Sequence, residues 1–192
     1  MKRFLLLFLA TVVTAWSASA QLSVSQLRTE HLTDPVGIGE RRPLLSWEVS
    51  DASRRGVTQS AYEIRVKSGG RTVWRTGKVA SAESAGVFYD GTPLTSDTRY
   101  TWQVRVWDDR GKASAWSRPA FWRTGLFDIG EWQARWIEPA VSDDLAAMFR
   151  RAFRVTKPVA EATVYVTAHG IYEASVNGHR VSDDLLTPGW TA

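Results

Sequence analysis

The sequence has no cysteine, only three histidines and a single asparagine. Without cysteine there is no disulfide scaffold, no thiolate zinc site and no cysteine nucleophile. His31, His169 and His179 lie far apart along the chain, which argues against a histidine-based metal cluster. There is no Gly-x-Ser-x-Gly elbow and no His-Glu-x-x-His helix. A phosphate loop is missing too: Gly77-Lys78 is followed by Val79, and Thr72 stands where the first glycine of such a loop would be. Bases and acids alternate without a basic block, so the electrostatic footprint of a nucleic-acid binder is absent. Beyond residue 20 no apolar run approaches the roughly 20 residues that cross a bilayer.

The first twenty residues read as a secretory signal peptide, residues 1–20. Lys2 and Arg3 form the positive start, and Phe4 to Val13 is an apolar run broken only by Thr11. Ala18-Ser19-Ala20 supplies the small residues that precede a cleavage site, here before Gln21. The run is too short for a transmembrane anchor, and with no cysteine after the cut a lipoprotein is excluded. The expected location is secreted or periplasmic, with no membrane contact after cleavage. Removing Lys2 and Arg3 from 24 bases against 20 acids leaves a mature charge of about +2.

Of 192 residues, 44% are hydrophobic and 23% charged, which is ample apolar material for a core and excludes a disordered chain. Ten tryptophans point to a β-rich or sugar-handling protein. Residues 21–125 carry short strand signals separated by turn residues, and no window sustains a helical period. The strands are Leu44 to Val49, Ala61 to Val66, Thr72 to Arg75, Val87 to Tyr89, Tyr100 to Trp107 and Ala120 to Thr124. The Gly69-Gly70 pair predicts a hairpin between the second and third of these. Seven or so strands in about 100 residues is the signature of a β-sandwich. Tyr100 at the start of its strand predicts a tyrosine corner, and Ala115-Trp116-Ser117 resembles the Trp-Ser element of fibronectin type III domains. By strand phase Trp47 and Trp102 belong to the core. Trp74 and Trp107 fall on the outward phase, suited to packing on a neighbouring domain or stacking on a sugar.

Residues 126–192 open with a linker rich in large aromatics, Phe127, Trp132 and Trp136. Leu145, Met148, Phe149 and Ala152 fit a helical template, while Phe149, Phe153 and Val155 fit strand alternation, and periodicity leaves the two open. Two alternating runs follow, Ala162 to Ala168 and Tyr172 to Val176. Asn177-Gly178 then supplies the two positive-φ positions of a type I′ hairpin turn. These three or four strands have open edges and an uncovered apolar face, so the sheet is expected to need further strands. Asp108-Asp109, Asp143-Asp144 and Asp183-Asp184 read as solvated turn residues, because a glycosidase needs its two carboxyl groups separated across a sugar cleft.

Three stretches carry a family resemblance. The first is Leu27-Arg28-x-Glu30-x-Leu32-x-Asp34-Pro35-x-Gly37 followed by Arg42-Pro43-x-Leu45-Ser46-Trp47. The second is Ala168-x-Gly170-x-Tyr172-Glu173 with Asn177-Gly178-x-x-Val181, and the third is Leu186-x-Pro188-Gly189-Trp190-Thr191. Together they resemble the N-terminal region of bacterial α-L-rhamnosidases of glycoside hydrolase family 78. The resemblance implies an exo-acting enzyme that removes terminal α-L-rhamnose with inversion. Its acid and base would be carboxylates in a helical (α/α)6 barrel downstream, about 6.5–9.5 Å apart. No residue of this chain matches that catalytic motif, so the catalytic set here is none. Some sandwich domains of the family bind rhamnose with calcium, and Asn177 is the position the resemblance offers for a substrate contact. No other cofactor is implied. The partners are a rhamnose-containing glycan, reached through the full-length enzyme, and the missing barrel itself.

The expected fold class is therefore all-β. A fibronectin type III-like β-sandwich spans 21–125. A linker and the first strands of a second, carbohydrate-binding-like jelly-roll β-sandwich span 126–192. Expected of such an N-terminal fragment is no hydrolysis on its own. Two rivals stand beside it, a complete secreted carbohydrate-binding protein and a structural adhesion-type spacer.

Overall fold

The computed structural model describes residues 22–140 and 146–188. Residues 1–20, read above as a signal peptide, Asp143 to Leu145 and the Gly189-Trp190-Thr191 part of the third motif lie outside the described residues. The described chain has no α-helix; its elements are ten strands and one short 3-10 turn. It divides into two units, the first running to Trp136 and the second starting at Ile137.

The first unit is a sandwich of two sheets. One contains β1 (Ser23–Thr29), β3 (Leu44–Ser50) and β6 (Val87–Phe88) in the order β1-β3-β6. The other contains β2 (Val36–Ile38), β4 (Gln59–Ser68), β5 (Arg71–Arg75), β7 (Arg99–Asp108) and β8 (Ala120–Thr124), in the order β2-β8-β7-β4-β5. All pairs are antiparallel except β2 with β8. Side chains alternate across each strand, so Tyr100, Trp102, Val104 and Val106 of β7 are buried while Thr101, Gln103, Arg105 and Trp107 are only partly covered. Beside them in the same sheet lie Ile64 and Val66 of β4, and Leu45 and Trp47 of β3 join the same core from the other sheet.

An aromatic stack fills one end of this core. Trp122 lies nearly parallel to Tyr100, centroids 5.3 Å apart, and meets Tyr89 edge-on at 5.9 Å. The Tyr100 hydroxyl accepts the Thr95 amide at 2.9 Å, which is the expected tyrosine corner. After Gly69 and Gly70, both at positive φ, β5 returns along β4 as the hairpin reading required. Trp74 differs from the sequence reading. A register shift between Val66 and Lys67 pairs Trp74 with the fully buried Val66, so the indole turns inward onto Tyr89 at 5.0 Å. A bulge of this kind moves every later side chain to the other face.

In the second unit the only ladder among the described residues joins β9 (Ser175–Val176) to β10 (His179–Arg180). Asn177 at φ 52° and Gly178 at φ 82° make the turn between them. The run Ala162 to Ala168 reads as a strand in sequence but joins no ladder among the described residues, though the Tyr172 hydroxyl donates to the Val166 carbonyl at 3.3 Å. Residues 146–152 form no helical turn, so the helical template is not used there.

Candidate functional site

The outward face of the five-stranded sheet is built from alternating cations and rings. Arg65 lies over the Trp116 ring at 4.2 Å, and Arg105 lies 5.0 Å from both Trp116 and Trp107. Lys78 covers Trp107 at 4.7 Å, and Arg99 covers Phe121 at 3.7 Å. Trp107 thus faces outward as expected, but cations of its own sheet cover it. Trp116 reaches the face because Ser114 and Ser117 dock their segment on β7. Their hydroxyls accept the Val106 and Val104 amides at 3.0 and 3.1 Å, and their own amides donate back to the same two residues. This is the structural role of the Trp-Ser element.

One carboxylate lies within this face. Glu63 is buried, its Oε1 accepting Arg75 Nε at 2.7 Å and its Oε2 accepting Arg105 Nε at 2.8 Å. Burial alone would push its carboxyl up, but the bonds from Arg75 and Arg105 outweigh it and hold the group below the ordinary glutamate range. By alternation along β4, Glu63 falls on the outward phase, and nothing local in the sequence marks it as a charge centre. The available signal was Arg75 and Arg105 on the neighbouring strands, which only the register brings opposite.

A second carboxylate cluster fastens the end of the sandwich. Glu131 accepts the Ser96 hydroxyl at 2.6 Å and the Phe127 and Asp128 amides at 3.0 and 3.1 Å. Arg41 pairs with Asp128 and lies over the Phe127 ring. The Ser96 bond, and then those amides, lower the Glu131 pKa below its ordinary value. A lowered pKa means the clamp holds above that ordinary value and releases as pH falls through the lowered one. Glu131→Ala should speed amide exchange at Phe127 and Asp128 several-fold at neutral pH and leave β7 unchanged. Unchanged exchange at those two amides would show that the clamp does not order the segment.

The first motif turns out to be a set of staples. The Glu30 carboxylate accepts the Leu44 amide at 2.6 Å, and Asp34 accepts the Phe121 amide at 2.8 Å. Arg42 pairs with Asp90, and Leu45 and Trp47 are core. Asp108 accepts the Lys112 and Arg110 amides and the Arg54 guanidinium, which lower its pKa. Each of these carboxylates is engaged in holding its own fold, and none faces another across a cleft.

The second unit contains an open hollow of about 340 Å³. Val166, Ile171, Tyr172, Val181, Leu185 and Leu186 contribute its apolar wall, and Glu173 and Arg180, also in the lining, pair across 3.5 Å. Most of these apolar side chains are exposed. Asn177 is exposed at the hairpin tip and does not line the hollow. Its positive φ is the conformation the turn requires and asparagine tolerates. Calcium takes six to eight oxygen ligands. Among the described residues no three acidic or histidine side chains are gathered to hold a metal, and the Asp184 carboxylate accepts the Ser182 hydroxyl.

Comparison with known proteins accounts for both units. A family profile described as Rha78A-like, N-terminal immunoglobulin domain matches residues 24–128. A second, described as alpha-L-rhamnosidase N-terminal domain, matches residues 157–192. An α-L-rhamnosidase of Streptomyces avermitilis is 36% identical over 88% of this chain and 19% of its own length. The crystal structure of an S. avermitilis α-L-rhamnosidase complexed with L-rhamnose superposes with a TM-score of 0.60. That match is 43% identical and covers 62% of this chain and 12% of that one. The native Aspergillus terreus enzyme gives 0.62 at 28% identity, covering 88% of this chain and 20% of that one. The chain spans about a fifth of the length of the curated relatives it matches.

Proposed function

The chain belongs to the family of Rha78A-like N-terminal immunoglobulin domains, and from that premise we propose that it is the non-catalytic N-terminal part of a secreted or periplasmic α-L-rhamnosidase. The parent enzyme would remove terminal α-L-rhamnose from glycosides or polysaccharides with inversion. The observation that carries this is the tandem order of the two profile matches, 24–128 and then 157–192. Two further features support it. The carboxylates of the first unit described above are tied to its own backbone and guanidinium groups, whereas inverting hydrolysis needs two carboxyl groups free to flank a sugar and a water. The exposed apolar wall of the second unit suits a surface that further strands of the same polypeptide cover.

Division of labour follows. The sandwich would act as a rigid support, and the acid and base would come from a domain outside this chain. The test is to follow the reading frame in genomic DNA beyond codon 192 and express both products. The longer product should hydrolyse an aryl α-L-rhamnoside and release the inverted β-anomer first, read by NMR. The 192-residue chain should show no turnover above buffer. Turnover by the short chain, or a stop codon with no barrel beyond it, would overturn the reading.

A further inference from the structure

Charge is distributed unevenly over the sandwich. The strands of the three-stranded sheet carry one base and one acid, Arg28 and Glu48. The outward positions of β4, β5, β7 and β8 carry Arg65, Lys67, Arg75, Arg99, Arg105 and Arg123. The only acid among those positions is Glu63, buried and already shared by Arg75 and Arg105. Lys78 adds another cation beside Trp107. Arg123 is paired with Asp97, and with 17 bases against 13 acids over residues 22–136 the first unit is itself basic, with much of that charge gathered on this one face.

The cations are also held in place. The Arg65 guanidinium is fixed by stacking on Trp116 and by two bonds to Gln103 Oε1, at 2.8 and 3.1 Å, which leave further N–H groups unused. Lys67 is exposed, and Arg99 is fixed over Phe121. Guanidinium groups already ordered lose little freedom when they take a partner. Trp107 and Trp116 each carry two cations against the ring, so their faces are not open to the stacking that a neutral pyranose would use. The rings on the face, Trp107, Trp116 and Phe121, each lie against at least one cation, so it lacks the open hydrophobic centre of a protein interface. Exposed pairs are individually weak. Cations on adjacent strands about 4.8 Å apart can add up only against a ligand that repeats its charge.

We propose that this face holds a carboxylated polysaccharide, a uronic-acid polymer whose carboxylates pair with Arg65, Lys67 and Arg99 while the Arg75–Glu63–Arg105 bridge keeps the platform rigid. The planar guanidinium fork matches a carboxylate. The inference does not rest on the rhamnosidase reading and would stand or fall without it, since its test reads binding alone.

The full chain is titrated with polygalacturonate, with neutral dextran, dextran sulfate and polyglutamate alongside. Polygalacturonate should bind at low ionic strength and be released by about 0.5 M salt, where screening is short-ranged. The triple substitution Arg65→Gln, Lys67→Gln and Arg99→Gln should weaken binding about tenfold. Removing as many cations elsewhere, by Arg28→Gln, Arg42→Gln and Arg55→Gln, should change it less than about twofold. Arg75 and Arg105 are left alone because they hold Glu63, and matched unfolding curves would show that both triple variants are folded. No binding of polygalacturonate, equal loss in the two triple variants, or equal binding of dextran would overturn the proposal. So would binding of dextran sulfate or polyglutamate as tight as that of polygalacturonate, the first meaning bare charge density and the second a protein partner.

Discussion

Trp122→Ala should cost the first unit about 3–5 kcal/mol, a large share of the stability of an ordinary small domain. Trp122 is fully buried on β8, at the point where the two sheets close over the aromatic stack. Its ring supports Tyr100 at 5.3 Å and Tyr89 at 5.9 Å, and Tyr89 in turn carries Trp74 at 5.0 Å. Deleting the ring leaves a void that two other rings border, and a close-packed core collapses only partly into such a space. The tyrosine corner would feel it too, because the Tyr100 hydroxyl that accepts the Thr95 amide is oriented by the same stack. Trp122→Phe is the informative partner. The indole Nε1–H of Trp122 has no hydrogen-bond partner in the core. Phenylalanine removes that buried donor and keeps most of the stacking area, so it should cost less than about 1.5 kcal/mol. Urea unfolding followed by far-ultraviolet circular dichroism measures both. A Trp122→Ala loss below about 1 kcal/mol would mean the stack is not the keystone of this end of the core.

The sandwich was readable because its strands alternate cleanly. Ile64, Val66, Val104 and Val106 show their inward phase in sequence, and Tyr100 announces the corner by standing at the start of the longest alternating run. Trp74 was misplaced for a physical reason. Its phase depends on an extra residue in the β4–β5 ladder, and a bulge leaves no mark on the pattern of one strand taken alone. The face of cations and rings was hidden for a related reason. Arg65, Arg105 and Trp116 are scattered over 52 positions of sequence and meet only through strand register and the docking of Ser114 and Ser117. In the second unit the Asn177-Gly178 turn was legible because turn chemistry is local. The run from Ala162 was legible as strand-like, but a ladder needs a partner, and alternation cannot state that one is present.

Acid should weaken the first unit, and Glu63 should account for a measurable part of the loss. The group is buried and ionised, and Arg75 and Arg105 hold its pKa below the ordinary value of 4.5 despite the opposing effect of burial. A pKa lowered by folding contributes stability that is fully present above the unfolded value and disappears as pH falls through the folded one. The difference in unfolding free energy between the native chain and Glu63→Gln should therefore be flat near neutrality. It should shrink on acidification below the ordinary glutamate range. Taking the difference matters, because Asp51, Asp108 and Glu131 also have lowered pKa values and titrate in the same direction. At neutral pH the substitution should cost about 2–3 kcal/mol. Losing one partner of a fully buried ion pair costs about 3–5 kcal/mol, but here the stranded Arg75 and Arg105 side chains are 61% and 31% exposed and can turn to water. The amide nitrogen of glutamine makes matters worse than a simple loss of charge, since it presents hydrogens to guanidinium groups that have only hydrogens to offer. A difference that stays constant from neutral pH down through the acid range would show that Glu63 is not ionised in the fold. The platform of stacked cations would then have no charged centre holding its two arginines together.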